Sequence, residues 1–356
     1  MYSLCAYFTS LIKLPFHRYN FVWILAAVLG VTSCNKEPTV ITAGIKEGFS
    51  VQGHSILKGG AAITLNGVNA MQTFGLSDPR LMKTWGVEIV REFIGNLREQ
   101  PISGTPIQGS NGKWYHPLNA IVEQNRANDK VTLLCPFGWV NTSGERQLLT
   151  GLNPLEQPFY PEYKSKMQAI AAHFAGQSDV WIEVWNEPFQ WNNENNYSHN
   201  LWLQSMNDMI KNLKEVAGFT NIIVVPGNAQ GQSEEVLLVH ASTLQTAFNN
   251  LVFDLHAYEK WLLNQSALQI QERLRRLREN NIPVIFGEIG VENVGKLLPV
   301  DAFLSVAKRL EIPVLGWLWN KNSDDKNALL TNEGRPNAHE ENNFWGERFY
   351  LFLKGN

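Results

Sequence analysis

Cysteine is nearly missing from this 356-residue chain, which has three: Cys5, Cys34 and Cys135. That excludes a disulfide framework, so stability has to come from a buried core. An excess of one charge is missing too. Lys and Arg number 30 against 33 Asp and Glu, a formal net charge of −3, and no basic block is present to follow a polyanionic backbone. Nucleic acid is therefore excluded as a partner. Metal spacings such as HExxH and CxxC do not occur, and the 8 histidines are scattered. No glycine-rich phosphate turn follows the first apolar segment, so neither a metal nor a nucleotide cofactor is expected. Internal repeats and low-complexity tracts are also lacking. The apolar run over residues 21–30, FVWILAAVLG, is too short for the roughly 20 residues that span a bilayer comfortably.

That run has another reading. Lys13, His17 and Arg18 precede it and Val31-Thr32-Ser33-Cys34 follows it, the charged-then-apolar order of an export signal. Its end resembles a bacterial lipobox, where cleavage before the cysteine leaves a lipid-bearing thiol. The expected organisation is a signal peptide over 1–33, a polar tether over 34–48 and one domain over 49–356. The mature protein would be an exported lipoprotein held to a bacterial membrane, on its periplasmic or outer face, through Cys34 alone. A hydrophobic content of 44% with 18% charged residues fits a single well-cored monomeric domain.

The pattern of that domain alternates. Residues 49–62 read as a β-hairpin around Gly59-Gly60 that caps a barrel floor, and 63–69 as the first of the barrel strands. Further apolar segments at 87–94, 131–137, 180–187, 221–227, 251–256, 284–288 and 312–319 are separated by helical spacings, such as Trp202, Met206, Met209 and Leu213. Strand and helix in this alternation predict an α/β fold, a (β/α)8 TIM barrel, with a doubly wound open sheet as the alternative. In such a barrel the active site lies where strands hand over to the loops that follow, and polar residues collect there. Arg91 ends the second strand, Asn186-Glu187 the fourth, His256 and Tyr258 the sixth, Glu288 the seventh and Trp319 the eighth.

The ordered pieces GVEIVREF, VWIEVWNEP, FDLHAYE, FGEIG and GWLWN, spread over most of residues 60–320, resemble glycoside hydrolase family 5, the retaining cellulase and mannanase barrels. The resemblance implies that Glu187 is the acid/base and Glu288 the nucleophile. It also implies that Asn186 contacts the sugar 2-hydroxyl, with Arg91, His256, Tyr258 and Trp319 as supporting residues. Two carboxyl groups of different character are what the chemistry asks for: one ionised to attack the anomeric carbon, the other carrying a proton for the leaving oxygen. Trp319 would floor the central sugar, and Trp139, Trp191 and Trp261 would line outer subsites, since aromatic faces suit the C–H faces of sugar rings. Glu183, four residues before Glu187, reads as a buried, paired structural carboxylate. One departure stands out: at the third strand's exit, where the family usually has a histidine, this chain has Cys135-Pro136-Phe137-Gly138-Trp139.

The expected activity is that of an endo-β-1,4-glycanase acting on a cellulose-type β-glucan or a β-mannan, with no cofactor. Two alternatives stay open. An exo-acting or transglycosylating relative would use the loops over 96–116 or 191–199 to block one end of the cleft. A surface lipoprotein that binds glycans without cleaving them would keep the barrel but not need both glutamates.

Overall fold

A computed structural model describes residues 48–194 and 196–355. The expected export signal, Cys34 and nearly all of the expected tether lie outside the described residues. Eight parallel strands close into a barrel: Gly67–Ala70, Ile89–Ile94, Val131–Pro136, Val180–Glu183, Ile223–Pro226, Leu251–Ala257, Val284–Ile289 and Val314–Gly316. They are called barrel strands 1 to 8 below. Strand 8 closes on strand 1 through the pairs Leu315↔Gly67 and Gly316↔Val68. Helices follow the strands on the outside. Helix His199–Lys214 buries Trp202, Met206, Met209 and Leu213 against the barrel, as their spacing requires, and helix Ala267–Glu279 buries Ile270, Leu274 and Leu277. Among the described residues no helix is long and apolar enough to cross a membrane.

The inward face of strand 2 shows how the barrel is layered. Side chains alternate, so Ile89, Arg91 and Phe93 point inward while Val90, Glu92 and Ile94 face the helices. Ile89 belongs to an apolar floor with Leu133, Trp181, Val224, Val252, Ile285 and Leu315. Arg91 occupies a polar middle layer. Phe93 joins Cys135, Phe137 and Leu318 in a small apolar cluster towards the mouth. The floor keeps water from reaching the charges above it from below.

The cap below that floor differs from expectation. It is a three-stranded antiparallel sheet, Phe49–Gln52, Ser55–Lys58 and Ala61–Ile63, rather than a two-stranded hairpin. Ile63 pairs with Ile56, and Ile56 plugs the floor, while Phe49 meets Trp181 edge-on at 5.8 Å. Because Ile63 is used in the cap, barrel strand 1 begins only at Gly67. Strand 4 also ends early, at Glu183; Glu187–Pro188 leaves the barrel and pairs with Thr150–Leu152 in the loop after strand 3. Strand 8 stops at Gly316.

Candidate active site

Arg91 is the hub of the polar layer and is fully buried. Its Nε and Nη2 hold both oxygens of Glu183, at 2.7 and 2.9 Å, and its Nη1 donates to Glu288 Oε1 at 2.7 Å. Nη2 also reaches Asn186 Oδ1 at 2.9 Å, and Nη1 reaches Asn69 Oδ1 at 3.2 Å. One guanidinium thus fixes strands 1, 4 and 7 against strand 2, using the planar fork that a lysine lacks. Glu183 is the structural carboxylate expected. Burial pushes its carboxyl up to about 8, against the pull of Arg91.

Glu288, at the end of strand 7, also accepts the Tyr258 hydroxyl on Oε2 at 2.9 Å. Burial raises its pKa, while His256 and Arg91 pull it back towards the ionised form. His256 Nδ1 lies 2.9 Å from Glu187 Oε1 and 3.6 Å from Glu288 Oε2, and its Nε2 lies 3.5 Å from Asp254 Oδ2. Burial alone would lower the pKa of this imidazole. The carboxylates of Glu288, Asp254 and Glu187 more than reverse that, and hold it well above the usual histidine range.

The decisive distance is between the glutamates. Ligand-type atoms of Glu187, His256 and Glu288 all lie within 4.8 Å of one another, so an oxygen of Glu187 comes within that distance of one of Glu288. Glu187 is the more open of the two, with 15% of its side chain exposed against 4% for Glu288. Among the described residues, those three and the group Glu183, Asp254 and His256 are the sets whose donor atoms could surround a cation. In both, Arg91 or His256 already supplies positive charge. Asn186 donates to Thr150 Oγ1 at 3.2 Å and accepts the Cys135 thiol at 3.6 Å. Burial raises that thiol's pKa well above its ordinary value and keeps the S–H a donor.

Residues 75–323 match the cellulase family, glycosyl hydrolase family 5. The chain belongs to glycoside hydrolase family 5. It is similar to the mannan endo-1,4-beta-mannosidase of Streptomyces lividans, with 24% identity over 259 residues, 70% of this chain and 62% of that protein. The chain thus spans about 62% of the length of that curated relative. The fold is that of the beta-mannanase from Streptomyces thermolilacinus, with a TM-score of 0.65 and 21% identity, covering 87% of this chain and 97% of that one. It is also that of the endoglucanase catalytic domain from Thermobifida fusca, with a TM-score of 0.63 and 15% identity, covering 87% and 98%.

Within this family 5 barrel the tryptophans are placed differently from expectation. Trp319 is only 6% exposed and lies edge-on to Trp85 at 5.0 Å, in the layer between barrel and helices. Strand 8 ends three residues earlier than the chain's apolar run, so Trp319 has already turned outward. The ring at the mouth is Trp317, the first residue past the strand, half-buried against Phe93 at 4.9 Å. Trp139 is buried and stacked on Phe159 at 4.8 Å. Trp261 is fully buried beneath the Arg273 guanidinium, and its Nε1 donates to Gln232 O at 3.0 Å. Neither lines an outer subsite, because each fills a gap between a loop and the helices. Trp191 alone of the three is open, 44% exposed with the Lys260 ammonium 5.0 Å from its ring.

Asn69, Thr150, Asp254 and Trp317 entered the site unannounced. For Asp254 a signal existed: it stands two residues before His256 in an otherwise apolar strand, on the same inward face. Its Oδ1 accepts Gly287 N at 2.6 Å, and a Cβ on residue 287 would fall 2.1 Å from its Oδ2.

Proposed function

We propose that this family 5 barrel is a retaining endo-β-1,4-glycanase, with Glu288 as the nucleophile and Glu187 as the acid/base. The observation that carries this reading is the asymmetry of two carboxylates whose oxygens approach within 4.8 Å. Arg91 and Tyr258 both donate to Glu288, which favours its charged form, while Glu187 is the carboxyl open to the cleft. Retaining glycosidases hold the two groups about 5–5.5 Å apart, whereas inverting enzymes need about 6.5–9.5 Å to admit water between them.

In the first step Glu288 attacks the anomeric carbon as Glu187 gives its proton to the leaving oxygen. In the second, Glu187 draws a proton from water, which breaks the ester to Glu288. Asn186, pinned by Arg91, Thr150 and Cys135, stands beside the acid/base to meet the 2-hydroxyl. Trp317, rather than Trp319, offers its face to the sugar. The substrate class is a β-1,4-linked mannan or cellulose-type glucan, supported by the names of the mannanases and the endoglucanase that this chain resembles. Reducing-sugar release across carboxymethyl cellulose, glucomannan, galactomannan, xylan and mixed-linkage glucan tests it; silence on all five with folded protein defeats it. Glu288→Gly should abolish turnover and regain product formation with added azide. A glycan-binding protein would have no turnover to lose.

We also propose that the chain is exported and anchored through a lipid on Cys34, on the order of charge, apolar run and lipobox over residues 13–34. Incorporation of labelled palmitate into the wild type but not into Cys34→Ser is the expected result; equal labelling overturns it.

A further inference from the structure

Glu187 must protonate the leaving oxygen, so the departing sugar lies on its side of the cleft, away from Glu288. The loops on that side follow strands 3, 4 and 5. Two amides meet there. Measured from the place a Cβ would take on Gly151, Gln230 Nε2 lies at 3.1 Å and Gln190 Nε2 at 3.6 Å. Gly151 itself sits between Thr150, which pairs with Glu187, and Leu152, which pairs with Pro188. Both glutamines are half-buried, and neither side-chain amide hydrogen-bonds a described residue. On neighbouring loops Gln232 bonds Glu259, Asn293 bonds Glu259, and Asn228 donates to Asn193.

The backbone that delivers Gln230 is unusual. Ala229, Gln230 and Gly231 run in succession at φ +53, +56 and +74, a left-handed conformation costing about 1–2 kcal/mol for each residue with a Cβ. Gln230 N donates to Pro188 O at 3.2 Å, and His256 N donates to Gly231 O at 2.8 Å. A Cβ on Gly231 would stand 3.0 Å from the His256 ring. The turn is therefore tied at one end to the residue after Glu187 and at the other to the backbone of His256, whose imidazole lies between the glutamates. It sets Gln230 at a fixed position relative to the reacting atoms.

We propose that Gln190 and Gln230 form the recognition site for the sugar unit that leaves, a neutral β-1,4-linked hexopyranose, by taking its hydroxyls with their free amides. Trp191, exposed one residue further on, extends the same wall. The assignment rests on the glycanase reading above and names its leaving-group side. An amide offers an N–H donor and a carbonyl acceptor side by side, which suits two adjacent sugar hydroxyls.

The test compares two substrates of the sugar that the wild type cleaves: its β-1,4-linked tetrasaccharide, and the 4-nitrophenyl glycoside of its disaccharide, whose leaving group has no hydroxyls to bind. The variants are Gln190→Ala and Gln230→Gly. Glycine favours the left-handed backbone at 230, so that variant removes the amide while easing the turn. Each should lower the ratio of kcat/KM on the tetrasaccharide to that on the aryl glycoside about tenfold, the loss of one hydrogen bond of about 1.4 kcal/mol. Equal losses on both substrates, or no loss on the tetrasaccharide, overturn the assignment while the glycanase reading stands. A wild type inert towards both substrates removes that reading and this one with it.

Discussion

Tyr258 shows how much one hydroxyl does here. It donates to the Glu288 oxygen that Arg91 does not hold, and so favours the ionised form of the proposed nucleophile. Tyr258→Phe should cost about 10- to 100-fold in kcat, the worth of a hydrogen bond to a charged group. The sign of the accompanying pH effect follows from the same bond. Burial already raises the pKa of Glu288, and removing a donor that lowers it raises it further. The acid limb of the kcat/KM profile should therefore move to higher pH, and an unmoved limb would contradict this role. Trp317 and Trp319 separate in the same way. Trp319→Ala empties a packed space between barrel and helices, so it should destabilise by about 3–5 kcal/mol. Trp317→Ala should act mainly on KM for oligosaccharides, with a smaller change in the denaturation midpoint.

At the scale of strands and loops, the barrel was legible because apolar runs alternate with helical spacings and several runs are interrupted by a polar residue at or near the end. Arg91, Asn186-Glu187, His256 and Glu288 stand out against such runs. What was not legible is where each strand stops. Strand 8 ends at Gly316 and strand 4 at Glu183, because later residues are drawn to partners far along the chain. Glu187 follows Thr150, and Trp319 follows Trp85. Composition along a strand does not encode such partners. Asn69 and Thr150 escaped for a related reason: small polar residues are common in strands and loops, and the task of these two shows only in their bonds, Asn69 to Arg91 and the Gly287 carbonyl and Thr150 to Asn186. Gly67 marks an element-scale constraint that can be tested. A Cβ there would lie 1.8 Å from the Ile89 carbonyl oxygen, at the register where strands 1 and 2 begin to pair. Backbone cannot rotate aside as a side chain can, so Gly67→Ala should force the two strands apart and destabilise by about 1–3 kcal/mol or more. A denaturation midpoint equal to wild type would show that the barrel tolerates a wider seam.

At the scale of the whole molecule, the barrel buries a charged cluster on an apolar floor, and the sum of its charges depends on pH. Arg91 and His256 carry the positive charge; Glu183, Asp254, Glu187 and Glu288 supply four carboxyl groups. A proton held on Glu183 reduces the negative charge set against the two cations. Raising the pH disturbs this balance. Glu183 rises from an ordinary 4.5 to about 8 in the folded chain. Below 4.5 both states hold its proton; between 4.5 and about 8 the unfolded chain has released it and the folded chain has not. Stability from that bound proton is therefore lost step by step as pH climbs through this window. His256 has the same sign. Its folded pKa lies well above 6.5, so its contribution is full below 6.5 and fades as pH rises through the higher folded value. Both terms run in one direction, so the thermal midpoint should fall from mildly acidic to alkaline pH. Glu183→Gln sets against Arg91 a neutral amide whose carbonyl can still accept from the guanidinium, as the protonated carboxyl does. The variant carries no proton to release there, so its midpoint should fall less steeply between pH 4.5 and about 8. Melting curves of the two proteins across that range check the slope; parallel curves would mean that Glu183 is ionised when buried and that Arg91 alone balances it.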